Sequence, residues 1–332
     1  MMQQIFYDFS AFEIIKDKKP LLVCDNAFDL LSITFPCDYV RFSDFSSNPL
    51  YEDVQTGVAL LKKSSCDFIV AIGGGSSIDI AKSIKYFSLA EFPIMAVPTT
   101  SGTGSEATHF AVIYQDGEKQ SIADERLLPD FVVLQPDLLK TLPAYQKKCT
   151  MLDALCQAIE SWWSKKATPE SIKYSQEAIK LILNHIESYL KNEEEGNKNM
   201  LTASNLAGKA INITTTTAPH AMSYKLTSLY GLPHGHAVAL CFPKVWRYMK
   251  GFDDIAKAFG GQGCEEAVLI FEELLQDLGI SPPENVPVSD LDILASSVNR
   301  QRLQNNPIPL DEDTIKALYK EILGVKGYGK HD

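Results

Sequence analysis

Two histidines and two other polar residues have the types and spacing of metal ligands. The segment TTAPHAMSYKLTSLYGLPHGH, residues 216–236, places His220 and His234 fourteen positions apart. Upstream, Asp153 and Gln157 stand four apart in the helical pattern CTMLDALCQAIESWWS, so both side chains project from one helix face. Each has an ordinary alternative: surface histidines on a polar loop, or an Asp that caps a helix or joins a salt bridge. Together, these donors suit Fe²⁺ or Zn²⁺ with a position left for a substrate oxygen.

The helix face that carries Asp153 is otherwise apolar, with Leu152, Ala154 and Ile159 close by. Burying a carboxylate without a partner costs free energy, and a divalent metal is one partner that would stabilise it. We therefore expect this helix to form part of a metal site.

Two loops rich in backbone and hydroxyl donors could bind a phosphate. In FIVAIGGGSSIDIAKSIK an apolar strand runs into glycines 73–75, and Ser76 stands at an expected helix N-cap. Such glycines let N–H groups approach an anion at a helix N-terminus, although an ordinary tight turn is the alternative. The next strand leads into MAVPTTSGTGSEAT, residues 95–108, which adds hydroxyl donors. In a parallel sheet both loops lie beyond the strand ends, so we expect one anionic ligand to bridge them.

Asp25 directly follows another apolar run, LLVC. Its carboxylate is placed to accept hydrogen bonds from a ribose, and an Asp that caps the next helix is the alternative. Neither the GxGxxG fingerprint nor the Walker pattern is present.

The elements that must position these residues change character near residue 146. Before it, short apolar runs alternate with helical patterns, which is typical of buried parallel strands. The runs are PLLVCDNA, DYVRFS, DFIVAIGGGS, FPIMAVPTT and DFVVLQP, with helical patterns at 51–64 and 77–88. Afterwards amphipathic stretches dominate, at 149–164, 168–192, 198–212, 263–278 and 311–323. We predict an α/β domain over residues 1–146 and an all-helical domain over 147–332.

Composition excludes several classes of protein. The 332-residue chain has a net charge of −11 and no run of more than two Lys or Arg, so we expect no nucleic acid partner. Its seven cysteines form no CxxC pair and suit buried thiols in a reducing compartment. The N-terminus lacks the pattern of a signal peptide, and no window approaches about eighteen uninterrupted apolar residues. We expect a cytoplasmic protein with no membrane partner.

Five segments, in order along the chain, resemble the iron-containing (group III, metal-dependent) alcohol dehydrogenases. They are AIGGGSSIDIAKSIK, PTTSGTGSEAT, LLPDFVVLQPDLLKTLP, LDALCQAIESW and HAMSYKLTSLYGLPHGHAVAL. The resemblance implies a Rossmann-like dinucleotide-binding domain, an all-helical C-terminal domain, a metal in the cleft between them, and a homo-oligomer such as a dimer. This is the dehydroquinate synthase-like fold.

The same resemblance implies a role for individual residues. It puts Asp153, Gln157, His220 and His234 at the positions of the ligands to Fe²⁺ or Zn²⁺. It puts Asp25 at the position that binds the ribose of NAD(P)H. Eight further residues occupy cofactor-binding positions: Asn48, Gly74, Gly75, Ser76, Asp79, Thr99, Thr100 and Lys119. The Asp25 carboxylate would repel a 2′-phosphate and favours NADH, whereas the neighbouring Asn26 leaves NADPH open.

Two positions depart from the family pattern. Gln157 stands where the family usually has a histidine, and its neutral amide oxygen is a weaker donor than imidazole. Tyr224 stands where a second histidine usually relays a proton. The candidates for the proton step are therefore the Tyr224 hydroxyl, water and His236.

The segments around both departures, together with SSVNRQRLQNNP, resemble one branch of the family, the phosphonoacetaldehyde reductases. The branch implies reduction of phosphonoacetaldehyde to 2-hydroxyethylphosphonate in phosphonate biosynthesis. A dianionic phosphonate requires cations beyond the metal, and the candidates are Lys225, Arg300 and Arg302. Arg302 comes first, because a guanidinium can hold two phosphonate oxygens; both arginines could instead be solvated loop charges.

Three competing hypotheses for the activity stay open at this point. The enzyme could act on a different small aldehyde or alcohol, or it could be a metal- and NAD-dependent synthase of the dehydroquinate synthase type. Gln157 and Tyr224 also leave room for a non-catalytic relative, since both replace histidines of the family pattern.

Overall fold

A parallel sheet forms the first part of the molecule. The computed structural model describes residues 3–46, 48–89, 91–115 and 118–325, with only the backbone of residues 118 and 119. The strands are β1 (Gln4–Phe6), β2 (Pro20–Cys24), β3 (Val40–Phe42), β4 (Phe68–Gly73), β5 (Ile94–Pro98), β6 (Phe110–Gln115), β7 (Glu118–Ala123) and β8 (Phe131–Val133). Among the described residues, six of these strands form one sheet in the order β1-β8-β5-β4-β2-β3. All neighbouring strands in it run parallel.

The apolar runs of the sequence form the centre of this sheet. Strands β2, β4 and β5 are buried along their whole length. Alternate side chains enter two separate apolar clusters, one on each face: Ile69 and Ala71 point to one, Val70 and Ile72 to the other. A strand buried on both faces cannot show polar alternation, which explains the continuous apolar pattern. The predicted parallel sheet is confirmed.

Three short strands were not predicted from the sequence. Strand β1 adds to the sheet edge beside β8, and β6 pairs with β7 as an antiparallel hairpin outside the sheet. Strand β6, FAVIYQ, is an apolar run that was not recognised as a strand, whereas β7, EKQSIA, mixes charged, polar and apolar residues. Their pairing therefore depends on packing that the local sequence does not specify.

Helices dominate the rest of the chain. They are α1 (Tyr51–Ser64), α2 (Gly75–Ser88), α3 (Ala144–Trp163), α4 (Pro169–Leu190), α5 (Glu194–Thr214), α6 (Ala218–Tyr230), α7 (His234–Met249), α8 (Asp253–Ala258), α9 (Cys264–Asp277), α10 (Asp290–Ser296), α11 (Arg300–Leu303) and α12 (Glu312–Ile322). The predicted long helices correspond to α3, α4, α5, α9 and α12. The expected boundary after residue 146 falls inside α3, and the division into two domains stays a prediction.

Two further features are the absence of a membrane-spanning helix among the described residues and the state of the cysteines. Within the described residues, no helix combines the length and apolar character needed to cross a bilayer. All seven cysteines lie in the described part of the chain, and each is a free thiol there.

A buried lysine fixes the hydroxyl-rich loop that follows β5. The Lys82 ammonium donates to the backbone carbonyls of Ser105, Thr108 and Phe110, at 2.5, 2.7 and 2.8 Å. Burial lowers the pKa of Lys82 to about 8, against the opposing charge of Asp79 nearby. Because one side chain collects carbonyls from the loop and from the first residue of β6, it sets the loop against the hairpin.

The same loop packs on α5 where two glycines meet. A Cβ added at Gly208 would lie 2.6 Å from the Gly104 carbonyl oxygen and 2.9 Å from the Gly104 Cα. Gly104 itself has a φ of +59°. The contact therefore requires glycine at both positions, and it joins the loop after β5 to the helical half of the chain.

Replacing Gly208 by alanine is expected to destabilise the protein. At an open helix position this change would stabilise by roughly 1 kcal/mol, but overpacking costs about 1–3 kcal/mol and the neighbours here are backbone atoms that cannot rotate away. The free energy of unfolding, measured by chemical denaturation, should fall. Lys198→Ala, at an exposed position of the same helix, is the control and should change it by less than about 0.5 kcal/mol. A Gly208→Ala protein at least as stable as its parent would refute this account.

Candidate active site

A cavity of about 320 Å³ lies between the loop edge of the sheet and the helical part of the chain. One wall is the start of α2, and another is the β6–β7 hairpin, through Phe110, Val112 and Tyr114. The helical wall carries the following polar residues: Asp153, Gln157, Thr215, Thr216, His220, Tyr224, Thr227, His234 and Arg302. The metal-ligand candidates thus face the cavity together with residues from the phosphate-binding turn.

Asp153, His220 and His234 converge from three helices. Their ligand atoms all lie within 4.8 Å of one another. Asp153 Oδ1 is 3.2 Å from His220 Nε2 and 3.7 Å from His234 Nε2. Burial alone would raise the pKa of Asp153, but His234, His220 and a hydrogen bond from Gln157 lower it overall. The carboxylate is therefore ionised and can act as a ligand at neutral pH.

The chain reaches this geometry because α7 crosses α3 at a glycine. A Cβ added at Gly235 would lie 1.9 Å from the Cys149 carbonyl oxygen and 2.9 Å from the Asp153 Cβ. The bare backbone lets the first turn of α7 lie against α3. His234, the first residue of α7, is thereby placed beside Asp153.

Gln157 supplies a buried acceptor with no donor. It lies one turn after Asp153 on α3, and 3% of its surface is exposed. Its Oε1 has no hydrogen-bond partner among the described residues. An unpaired buried carbonyl oxygen costs about 1–3 kcal/mol, and a cation beside it would remove that cost. A carboxylate, two imidazoles and this amide oxygen form a donor set that fits a divalent metal.

Glu160, which was not among the predicted site residues, orients one of these histidines. Its carboxylate accepts a hydrogen bond from His220 Nδ1, and its other oxygen accepts from the Thr217 N–H at 2.7 Å and the Thr217 hydroxyl at 2.8 Å. His220 Nε2 is thus left to face Asp153. Burial would lower the pKa of His220, but Glu160 and Asp153 outweigh it and raise that pKa to about 9.

The sequence does contain a signal for Glu160. It stands seven residues after Asp153 and three after Gln157, so all three share one face of α3. The expectation that this face is otherwise apolar was therefore wrong. Two buried carboxylates on one face, with a histidine between them, make a site that requires positive charge.

Tyr224 lies between the histidines and Arg302. Its ring stacks on His234, with centroids 5.7 Å apart and planes 7° from parallel. The Arg302 guanidinium lies over the Tyr224 ring, 5.3 Å from its centroid, and donates to the Thr216 hydroxyl at 3.0 Å. Burial raises the pKa of Tyr224, and Arg302 lowers it by less, so the phenol keeps its proton at neutral pH.

A strained connection between α5 and α6 carries part of the cavity wall. Thr215 is β-branched and has a φ of +59°, which costs on the order of 1–3 kcal/mol. The buried Asn305 amide donates to the Thr214 and Thr216 carbonyl oxygens, at 2.7 and 3.2 Å, and to the Thr215 hydroxyl. These hydrogen bonds from Asn305, which follows α11, hold the connection between α5 and α6 in its unfavourable conformation.

The glycine turn and the hydroxyl-rich loop are neighbours, as predicted. A Cβ on Gly74 would lie 3.3 Å from the Thr100 methyl group, and one on Gly75 would lie 2.8 Å from the Thr103 hydroxyl. The helix cap differs from the prediction. Helix α2 begins at Gly75 with Gly74 at the N-cap position, so Ser76 lies inside the first turn instead of capping it.

The remaining cofactor candidates fall into several places. Asn48, Gly75, Ser76 and Asp79 line the cavity. The Asp79 carboxylate also accepts hydrogen bonds from the Ser105 hydroxyl and the Val112 N–H. Thr99 donates its N–H to the Gly73 carbonyl oxygen, beside the turn. The Lys119 side chain lies outside the described part of the chain.

Asp25 serves as a helix cap and also borders the glycine turn. One carboxylate oxygen accepts from the Ala27 N–H at 2.9 Å and caps the short 3₁₀ helix Asn26–Leu30. The other oxygen faces the glycine turn, 3.7 Å from where a Cβ on Gly73 would be. The capping role is therefore present, and the carboxylate still lies beside the turn where a ribose is expected.

The structure does not bring His236 to the cavity. His236 stands two residues after His234 on α7, and side chains two apart point to nearly opposite sides of a helix. Its Nε2 lies 2.9 Å from the Ser281 carbonyl oxygen and its Nδ1 lies 2.7 Å from the Tyr145 hydroxyl. Both ring nitrogens thus have hydrogen-bond partners away from the residues that line the cavity, so this geometry does not support the expected role in proton transfer.

Arg300 and Lys225 are not placed at the cavity either. The Arg300 side chain is 85% exposed and pairs with Glu312 at 3.1 Å. Lys225 is next to Tyr224 on α6, and neighbouring helix residues point in different directions. Of the three predicted cations, the structure places Arg302 alone in the cavity wall.

Comparison with known proteins identifies the family. Residues 10–136 match the model of iron-containing alcohol dehydrogenases, and residues 148–323 match that of the Fe-containing alcohol dehydrogenase family, C-terminal. Alcohol dehydrogenase 4 of Schizosaccharomyces pombe is 30% identical over 83% of this chain and 73% of its own length. Phosphonoacetaldehyde reductase of Streptomyces viridochromogenes is 29% identical over 79% of this chain and 77% of its own.

A solved structure shows the same fold over nearly the whole chain. Sulfoacetaldehyde reductase from Bifidobacterium kashiwanohense, in complex with NAD⁺, has a TM-score of 0.89 at 26% identity and covers 98% of both chains. Together with the two family models, this likeness confirms the predicted fold class. The chain therefore belongs to the iron-containing alcohol dehydrogenase family and is an oxidoreductase that acts on CH–OH groups.

Proposed function

We propose that this enzyme reduces phosphonoacetaldehyde to 2-hydroxyethylphosphonate with NAD(P)H. The observation that carries the proposal is Arg302, a guanidinium in the wall of the cavity that holds the metal-ligand candidates. No carboxylate of the described residues lies within ion-pair distance of it, whereas nearby Arg300 is paired with Glu312. Two relatives are named for small aldehydes that carry an anionic group, phosphonoacetaldehyde and sulfoacetaldehyde.

The net negative charge of the protein makes Arg302 important for binding an anionic substrate. The chain carries a net charge of −11, and its overall field repels a dianionic substrate. Among the described residues that line the cavity, Arg302 is the one Lys or Arg side chain. An arginine can form two parallel hydrogen bonds to a phosphonate, which fixes both position and orientation.

The proposal assigns metal binding to Asp153, Gln157, His220 and His234. Fe²⁺ or Zn²⁺ held there supplies Lewis-acid polarisation of a carbonyl oxygen. Glu160 orients His220: its carboxylate accepts a hydrogen bond from Nδ1, which leaves Nε2 of His220 available to bind the metal. The Tyr224 phenol, protonated at neutral pH, can donate a proton from its hydroxyl at the cavity wall.

NAD(P)H binding is assigned to the turn at the start of α2 and the loops around it. The N–H groups of Gly74, Gly75 and Ser76 at the helix N-terminus suit the pyrophosphate. The proposal gives the ribose to Asp25 and gives supporting contacts to Asn48, Asp79, Thr99, Thr100 and Lys119. NAD(P)H supplies the hydride, and the residues align it with the substrate across the cavity. The proposal also includes a homodimer, as the family resemblance implies, and a cytoplasmic location.

Replacing Arg302 by alanine tests the substrate. We expect KM for phosphonoacetaldehyde to rise roughly 10- to 100-fold, because a charge-assisted contact is lost. KM for butyraldehyde should stay within about twofold of the parent value, because this substrate has no anionic group that could pair with the guanidinium. Steady-state kinetics of NADH oxidation measure both.

Arg300→Ala is the matched control, since it removes a guanidinium two residues away that does not line the cavity. It should leave both KM values unchanged. An equal rise of KM for both aldehydes in Arg302→Ala, or a parent enzyme that prefers butyraldehyde, would refute the phosphonate assignment and leave the family membership intact.

Replacing Glu160 by glutamine tests the metal site. We expect the affinity of the metal-stripped protein for Zn²⁺ to fall roughly 10- to 100-fold, because His220 loses the carboxylate that orients it. Competition with a chromophoric chelator measures the dissociation constant. Glu187→Gln, on an exposed side chain of α4, is the control and should bind Zn²⁺ as the parent does. Unchanged affinity in Glu160→Gln would contradict the assigned role.

A further inference from the structure

We propose that Tyr224 is a positioning residue for substrate specificity: its ring holds the Arg302 guanidinium in place, so that the anionic group of an aldehyde is bound while its carbonyl faces the metal ligands. This inference rests on the proposed function and deepens it. It gives Tyr224 a role that is separate from the donation of a proton by its hydroxyl.

The first support is a stack of three side chains. The Arg302 guanidinium lies 5.3 Å from the Tyr224 ring centroid. The Tyr224 and His234 rings are stacked with centroids 5.7 Å apart and planes 7° from parallel. The aromatic ring of Tyr224 therefore contacts both the cation and a metal-ligand candidate. Aromatic rings are rigid, so the stack keeps a fixed spacing between the two binding functions.

The second support is the position of Tyr224 on α6. It stands four residues after His220, so both side chains lie on the same face of the helix. Helix packing that directs His220 to Asp153 therefore also directs Tyr224 into the cavity. The same helix therefore brings the Tyr224 ring and a metal-ligand candidate to one wall of the cavity.

The third support is how Arg302 is held elsewhere. Its backbone is anchored independently of Tyr224, because the Asn299 side chain caps α11 and Asn305 is bonded to the connection before α6. The guanidinium itself donates to the Thr216 hydroxyl at 3.0 Å and contacts the face of the Tyr224 ring. Removing the ring thus leaves the guanidinium with the Thr216 hydroxyl as its remaining hydrogen-bond partner among the described residues and does not unfold the segment.

The expected consequence is a selective loss of affinity for anions. A guanidinium that has lost the support of the ring must be ordered when the substrate binds, and the lost cation–π contact adds to this cost. For Tyr224→Leu we expect KM for phosphonoacetaldehyde to rise about 5- to 30-fold. KM for butyraldehyde should change by less than about twofold, since that substrate makes no contact with the guanidinium. Tyr224→Phe removes the proposed proton-donating hydroxyl and should lower kcat, but it keeps the ring and should keep KM for phosphonoacetaldehyde within about twofold of the parent value.

The experiment combines kinetics with binding of an unreactive anion. The metal-loaded parent, Tyr224→Phe, Tyr224→Leu, Arg302→Ala and the Tyr224→Leu/Arg302→Ala double variant are compared with both aldehydes. Calorimetry with ethylphosphonate gives the affinity for the anionic group without turnover. Metal content and thermal unfolding of each variant show whether the site and the fold are intact. Because the ring acts through Arg302, Tyr224→Leu should add no further effect in the Arg302→Ala background.

The outcomes separate this inference from the proposed function. If Arg302→Ala weakens phosphonoacetaldehyde selectively but Tyr224→Leu does not, or if the two changes are additive, the positioning role is refuted and the proposed substrate stands. If Tyr224→Phe raises KM as much as Tyr224→Leu, the hydroxyl matters and the ring does not, which also overturns the inference. If Arg302→Ala has no selective effect, the anion site itself fails, and the positioning role fails with it.

Discussion

Two carboxylates buried on one face of α3 set the main constraint on this structure. Asp153 and Glu160 are 3% and 0% exposed, and neither meets a lysine or arginine among the described residues. His220 lies between them and binds both, which is why its pKa is raised to about 9. A helical core tolerates such charge only when positive charge is brought to it, here as a proton or a metal cation. Helices α6 and α7 are placed accordingly: each brings a histidine to α3.

The sequence predicts most of the scaffold because burial leaves a strong local pattern. Strands β2, β4 and β5 are covered on both faces, so their apolar runs are continuous and easily recognised. Helix α1 is predicted with its observed bounds, from amphipathic spacing alone. The hairpin β6–β7 was missed although β6 is an apolar run: its partner β7 is mostly polar, and the pair stands outside the parallel sheet. Helices α6 and α7 were missed because Gly231, Pro233 and Pro243 are turn or breaker signals in sequence, although α7 is apolar along most of its length.

The site is less predictable because it is assembled from distant segments. Asp153 and Gln157 could be placed on one face from their spacing, whereas their meeting with His220 and His234 followed from the family resemblance. His236 was misplaced because proximity along the chain ignores the turn of a helix, which sends it to the opposite side. Arg302 could not be separated from Arg300 by type or spacing. The choice depends on tertiary contacts: one guanidinium reaches the cavity, and the other reaches Glu312.

The strained connection between α5 and α6 has a consequence for how such enzymes diverge. Asn305 clamps Thr215 and its neighbours, while Thr216 bonds Arg302 and Thr217 bonds Glu160. An insertion or deletion in this connection would displace the anion-binding arginine and the histidine support together. Related enzymes with other substrate preferences are therefore expected to keep the length of this connection. We expect their substitutions at positions that face the cavity and make no hydrogen bond to Asn305.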